Sequence, residues 1–235
     1  MHDPLQKSIH KRYQGLFRGV AKVLGRDERL RLGLARLFYQ LQVVGGVSIP
    51  ARGGCLVAFN HVSDIADTMT YLVIQHYRPD VTLFAWSLNQ EIISGLLEVI
   101  NLPGSGERLF VTDKRQTQNV NELLRARQAL IQGGCVAIAP EGETTWDGRL
   151  QSPLAPGAAW LALHTAVPIV PMVSKGGYDV QPLWRREKPQ LTGRIRIRVG
   201  QPLVFCEQPQ ERASEAQLQT ASQHLWQALA DLLTD

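Results

Sequence analysis

From residue 46 onward the chain is punctuated by short apolar runs, and this rhythm restricts its fold more than any other feature. GGCLVAFN, DVTLFAW, GERLFVTD, GGCVAIAP, AVPIVPMV and GRIRIRVGQPL each set aliphatic, β-branched or aromatic residues between glycine, proline or aspartate turn signals. Between these runs, the stretches near 67–77, 117–132, 157–166 and 212–233 have helical character. Alternating strands and helices predict an α/β fold, a mostly parallel central sheet flanked by helices. In such sheets ligands bind beyond the carboxyl ends of the strands, and FNHVSD and APEGET both begin where an expected strand stops. With 235 residues and 44% hydrophobic content, one sizeable core can form, so one main domain over 46–235 with an appendage is expected. The polar stretch 205–217 reads as a loop into a final packing helix.

The appendage is residues 1–45, and it carries the charge asymmetry of the chain. It holds nine basic side chains against three acidic ones, a balance of +6, whereas the whole chain sums to +4, so the remainder is slightly acidic. Leu5, Ile9, Tyr13, Leu16 and Val20 recur at steps of three and four, with Lys7, Lys11, Gln14, Arg18 and Lys22 about half a turn away. Gly25 and Asp27 read as a helix stop and a new N-cap, after which Leu30, Leu34, Leu37, Phe38 and Leu41 mark a second helix. The expectation is an N-terminal amphipathic helical pair, docked on the protein's own core or lying on an anionic membrane surface.

Composition removes several function classes. Cys55, Cys135 and Cys206 are odd in number and lack metal-ligand spacing, so neither a disulfide framework nor a zinc site is expected. The N-terminus lacks the apolar core of a signal peptide, and no apolar stretch approaches the roughly 18 residues a spanning helix needs. A cytoplasmic protein, peripheral on the inner face of the cell membrane, is expected. The basic helices carry an apolar stripe and no nucleic-acid-binding motif, so nucleic acid is not an expected partner.

Four stretches then have to be read in order. Asn60 to Ser63 is NHVS, Leu109 to Arg115 is LFVTDKR, Pro140 to Thr144 is PEGET, and Val167 to Pro171 is VPIVP. In this order they resemble the glycerolipid acyltransferase family, whose pattern runs Asn-His-x-Ser-x-x-Asp, a Phe-Val segment leading to a basic residue, Pro-Glu-Gly-Thr, and Val-Pro-Ile-Val-Pro. The likeness covers roughly residues 35–205, taking in PGAAWLAL and RIRVGQPL. Two departures stand out. The family places four residues between His and Asp, whereas here two separate His61 from Asp64 and five separate it from Asp67. Glu143 stands where the family commonly has Thr, and no Arg follows closely.

Moving an acyl group from a thioester to an alcohol needs a base for the hydroxyl proton, and an unperturbed imidazole titrates at about pH 6.5, well placed for that work. A carboxylate on the second ring nitrogen fixes the tautomer and stabilises the imidazolium. His61 is the expected base and Asp67 its expected partner, with Asp64 as the fallback; the alternative is that Ser63, Asp64 or Asp67 merely caps a helix and His61 is a polar loop residue. The resemblance implies that Lys114 and Arg115, with Glu141 and backbone amides near Gly142, line a site for the acceptor phosphate. VPIVP reads as a strand beside the acyl channel.

The function implied is transfer of a fatty acyl group from an acyl-CoA or acyl-carrier-protein thioester to the free hydroxyl of 1-acylglycerol 3-phosphate. No metal or resident cofactor is expected. The expected partners are a lysophospholipid acceptor, the acyl thioester donor and an anionic membrane surface. Two other readings stay open: O-acylation of another lysolipid or a nonphosphorylated alcohol, and a catalytically inactive peripheral lipid-binding protein.

Overall fold

Strand pairing accounts for the whole centre of the molecule. The computed structural model describes residues 28–86, 109–112, 118–185 and 190–234. Among them β1 (Gln42–Val44), β2 (Cys55–Phe59), β3 (Thr82–Trp86), β4 (Leu109–Thr112), β5 (Cys135–Ile138), β6 (Ile169–Lys175) and β7 (Arg196–Val199) form one sheet in the order β1-β7-β6-β2-β5-β3-β4. Neighbours are parallel throughout except β6 and β7. The helices are α1 (Glu28–Tyr39), α2 (Asp64–Tyr77), α3 (Gln118–Ile131), α4 (Gly157–Thr165), the single turn α5 (Gly177–Val180) and α6 (Glu215–Thr234).

Side chains alternate across a strand, and both faces of the sheet centre are covered, so β2 and β5 are apolar at every position. Cys55, Val57 and Phe59 of β2 join Cys135 and Ala137 of β5 in a core shared with Leu32 and Ala35 of α1 and Tyr71, Leu72 and Ile74 of α2. Leu56, Ala58, Val136 and Ile138 point the other way, onto Ala126 and Leu130 of α3, Ala158 and Leu161 of α4, and Leu225 and Leu229 of α6. All five residues of β2 are buried.

The first expected N-terminal helix lies outside the described residues. The second is α1, but the face it buries differs from the expected stripe. Leu32 and Ala35 pack inward, while Leu30, Leu37 and Phe38 are 45%, 72% and 47% exposed. At 100° per residue Leu30 and Leu37 lie opposite Leu32 and Ala35, with Phe38 on the flank between, so α1 has apolar residues on two sides and the core uses one of them. Beyond it, β1 falls inside the segment read as the helical pair and pairs with β7, so the sheet extends across residue 45. A three-residue strand with the burial pattern exposed, half-buried, exposed carries no apolar run that a sequence reading could seize.

The parallel register positions the site. Ala58 of β2 pairs with Ile138 of β5, and Phe59 with Met172 of β6, so the segments that follow β2 and β5 leave the sheet side by side at its carboxyl edge. Asn60, 2% exposed, fixes this exit. Its side-chain carbonyl accepts the Ser174 N–H at 2.7 Å and its amide donates to the Ser174 carbonyl at 3.1 Å, continuing the ladder by one rung made from a side chain. At the opposite edge buried Arg78 donates to the carbonyls of Pro50, Gly53 and Gly133 and pairs with Asp80, tying together the segments that lead into β2 and β5. Asn60→Ala leaves two buried backbone groups of Ser174 without that partner and should cost about 1–3 kcal/mol, measured as a lower midpoint in urea with an unchanged slope.

Candidate active site

His61 is the second residue past the end of β2, and its backbone is held at both ends by the segment that follows β5. Its N–H donates to Glu141 Oε1 at 2.6 Å, and its carbonyl accepts the Thr145 N–H at 2.9 Å. The other Glu141 oxygen accepts the Gln151 N–H at 2.7 Å, which closes the loop from Glu141 to Gln151 on itself. Thr145 Oγ1 donates to Asp147 Oδ1 at 2.9 Å and receives the Gln151 side-chain amide at 3.0 Å. Trp226 of α6 donates its indole N–H to the Gln151 carbonyl at 3.0 Å, anchoring this loop to the last helix.

The imidazole lies between a carboxylate and a hydroxyl. His61 Nδ1 is 2.5 Å from Asp67 Oδ2, and Nε2 is 3.0 Å from Thr144 Oγ1. With the carboxylate on Nδ1, the neutral ring carries its proton there, and Nε2 offers a lone pair to the Thr144 hydroxyl. The His61 side chain is 27% exposed and that of Asp67 14%, so solvent reaches the base from one side only.

Helix geometry explains why Asp67 serves despite the extra residue. Ser63 caps α2, its Oγ accepting the Ala66 N–H at 3.1 Å, which makes Asp64 the first helical residue and Asp67 the fourth. Helical side chains tilt toward the N-terminus, so a carboxylate one turn in reaches back over the cap to His61, two residues before it. Asp64 stands on the same first turn and acts on the ring through its charge, without being the group on Nδ1. The N-terminus of α2 is fastened to α5 and its flank, where the Ile65 N–H donates to Gln181 Oε1 at 3.0 Å.

Electrostatics follow from this enclosure. Burial pushes the His61 pKa down, but the Asp67 carboxylate, by charge and hydrogen bond, and the more distant Asp64 and Glu141 outweigh it, so the net shift is upward. The Glu141 pKa is raised by burial, with the two backbone amides pulling the other way.

The structure therefore brings His61, Asp67, Glu141 and Thr144 together. Glu141, expected in an acceptor pocket, takes the backbone amides of His61 and Gln151 on its two oxygens and so fastens the base in place. Gly142 has φ 77°, a left-handed turn that suits glycine, and its N–H donates to the Ala139 carbonyl at 3.2 Å, inside the turn. Lys114 and Arg115 lie outside the described residues; β4, which precedes them, runs parallel to β3. Sequence reading left Asn60, Thr144 and Gln151 without roles. Asn60 and Thr144 sat inside the quoted blocks, but nothing in spacing tells which of two adjacent threonines faces the imidazole. Among the described residues no cluster of three or more His, Cys, Asp or Glu side chains could hold a metal ion.

A family model described as Acyltransferase matches residues 40–175, a span that includes His61, Asp67, Glu141 and Thr144. No curated protein matches the chain. Among solved structures, the crystal structure of the 1-acyl-sn-glycerophosphate (LPA) acyltransferase PlsC from Thermotoga maritima is similar in fold, with a TM-score of 0.62, 20% identity, and coverage of 100% of this chain and 85% of that one.

The charge environment generates a prediction. Because neighbouring carboxylates hold the His61 pKa above that of an ordinary imidazole, the ring should stay protonated into higher pH than a free histidine does. Asp67→Asn removes the main raising group and leaves burial, so its midpoint should move to lower pH. Imidazole NMR titration of the two proteins reads both midpoints; an unchanged midpoint in the Asn variant would detach Asp67 from the ring.

Proposed function

The chain belongs to the acyltransferase family, and from that premise we propose that it transfers a fatty acyl group from an acyl-CoA or acyl-carrier-protein thioester to the free hydroxyl of 1-acylglycerol 3-phosphate. The observation that carries this reading is the imidazole held between Asp67 and a hydroxyl, at 2.5 Å and 3.0 Å. That arrangement is what deprotonation of an alcohol requires: a base whose lone pair meets a hydroxyl, a fixed tautomer and a carboxylate to stabilise the cation formed. His61 takes the proton of the acceptor hydroxyl as its oxygen attacks the acyl carbon, and Asp67 stabilises the resulting imidazolium. Glu141 keeps the ring in position by holding the His61 backbone. Lys114 and Arg115 supply charge-assisted donors to the acceptor phosphate. The protein works without a metal or a resident cofactor.

A long-chain acceptor resides in a bilayer, and among the described residues no helix is long and apolar enough to cross one. The outward face of α1, with Leu30, Leu37 and Phe38 exposed, supports docking at the surface of an anionic membrane on its inner side, with the basic residues of the N-terminal segment on the headgroups.

Three outcomes follow. His61→Ala should lower turnover by at least about a hundredfold, read as thiol release in the presence of acceptor; a folded variant with full activity would remove His61 from the chemistry. Lys114→Ala or Arg115→Ala should raise the apparent KM for a phosphorylated lysolipid and leave that for the thioester unchanged, and an equal loss with a neutral acceptor would assign them elsewhere. Binding to phosphatidylglycerol vesicles should weaken as salt rises and with Leu37→Glu combined with Phe38→Glu, measured by sedimentation.

A further inference from the structure

We propose that Gln151 and Trp226 are positioning residues of this site, through which the last helix holds the Glu141 carboxylate on the His61 backbone. This rests on the acyltransferase reading and adds to it two residues that do not touch the imidazole. A continuous path of hydrogen bonds connects them to it. Trp226 of α6 donates its indole N–H to the Gln151 carbonyl at 3.0 Å, the Gln151 N–H donates to Glu141 Oε2 at 2.7 Å, and Glu141 Oε1 accepts the His61 N–H at 2.6 Å.

Gln151 reaches His61 from both sides. Its backbone N–H acts through Glu141 on the His61 N–H, while its side-chain amide donates to Thr145 Oγ1 at 3.0 Å, and the Thr145 N–H donates to the His61 carbonyl at 2.9 Å. The same amide donates to the Arg149 carbonyl at 2.9 Å, which folds the loop back on itself. Gln151 is exposed, so hydrogen bonds rather than burial set its place. The firm end of the path is α6, where Leu225 and Leu229 are buried in the core and Trp226 packs against the same cluster as Leu150, the neighbour of Gln151. The indole bond thus ties an exposed loop to a helix that the core holds still.

The charge on Glu141 makes this tie matter to the base. An ionised carboxylate can accept both amides, and burial opposes that ionisation. The Gln151 N–H is the first group that counters burial, ahead of the His61 N–H; the charge of His61 works in the same sense and that of Asp67 against it. If Gln151 turned its N–H away, Glu141 would keep one amide, its pKa would rise, and its protonated form would hold His61 less firmly. A base displaced by a fraction of an ångström loses rate without losing its chemistry.

The experiment labels the glutamate carboxyls of the full chain with carbon-13, assigns the Glu141 resonance by its loss in Glu141→Gln, and follows its titration beside acceptor-dependent thiol release from palmitoyl-coenzyme A. Trp226→Phe keeps an aromatic ring in the packing and removes the N–H. It should move the Glu141 midpoint to higher pH and lower kcat by about three- to tenfold with both KM values unchanged. Gln151→Pro, which deletes the amide donor itself, should move both further in the same directions. In a Glu141→Gln background Trp226→Phe should lower kcat no further, because the path to His61 is already cut. An unchanged Glu141 midpoint in a folded Trp226→Phe protein, or equal losses of kcat in the two backgrounds, would overturn the positioning role and leave the acyltransferase reading standing. Absence of thiol release from the unmodified protein would overturn that reading, and the Glu141 midpoint would still decide whether Trp226 holds the carboxylate.

Discussion

The half-buried carboxylate of Glu141 is the constraint on which the site depends. It comes from the segment after β5, yet one of its oxygens accepts the N–H of His61, the second residue past the β2 exit, and the other accepts the N–H of Gln151 ten residues along its own chain. Burial works against the ionised form of this group, and two short bonds from amides work for it. Removing such a carboxylate would strip two backbone donors of their acceptor at once. It would also release the imidazole from the loop that faces it. The parallel pairing of β2 and β5 makes this bond possible, since Ala58 and Ile138 are in register and both strands end at the same edge of the sheet.

Much of this was legible before any coordinates. The six apolar runs correspond to β2 to β7, because a strand covered on both faces is apolar at consecutive positions and stands out from helical periodicity. β1 was not legible, since Gln42, Val43 and Val44 form a short edge strand with little to bury. For α1 the period was legible, and which side meets the core was left open. Apolar residues on two sides of one helix give two equally good stripes, and only the neighbours decide which is buried. Leu32 and Ala35 meet α2 and the sheet, which leaves Leu30, Leu37 and Phe38 outward.

The site was legible in its residues and obscure in its connections. His61 and Asp67 follow from motif and helix geometry, because a capped helix fixes which first-turn carboxylate can reach back. Asp64, nearer in sequence, begins the helix too early to reach Nδ1 in the same way. Glu141 was found by its motif, but its bonds to backbone amides have no sequence signature, since any buried carboxylate could instead face a cation. Thr144 is the harder case. Two threonines follow Glu143, and only the pairing of Thr145 N–H with the His61 carbonyl shows where the register has settled.

If the acceptor is the anionic lysolipid proposed above, it must approach a base surrounded by carboxylates, and the resolution is in the timing of charge. Asp67, Asp64 and Glu141 all raise the His61 pKa, so they stabilise the imidazolium, the form the ring takes whenever it accepts a proton. A negative substrate group near the ring would raise it further, strengthening the base at a cost in repulsion against the carboxylates. That repulsion has to be offset by cations, and the loop from Glu141 to Gln151 offers only Arg149, 87% exposed and beside Asp147. The requirement therefore falls on a basic segment outside that loop. On the proposed reading Lys114 and Arg115 meet it: in the sequence they follow β4, a strand parallel to β3, which is in turn parallel to β5.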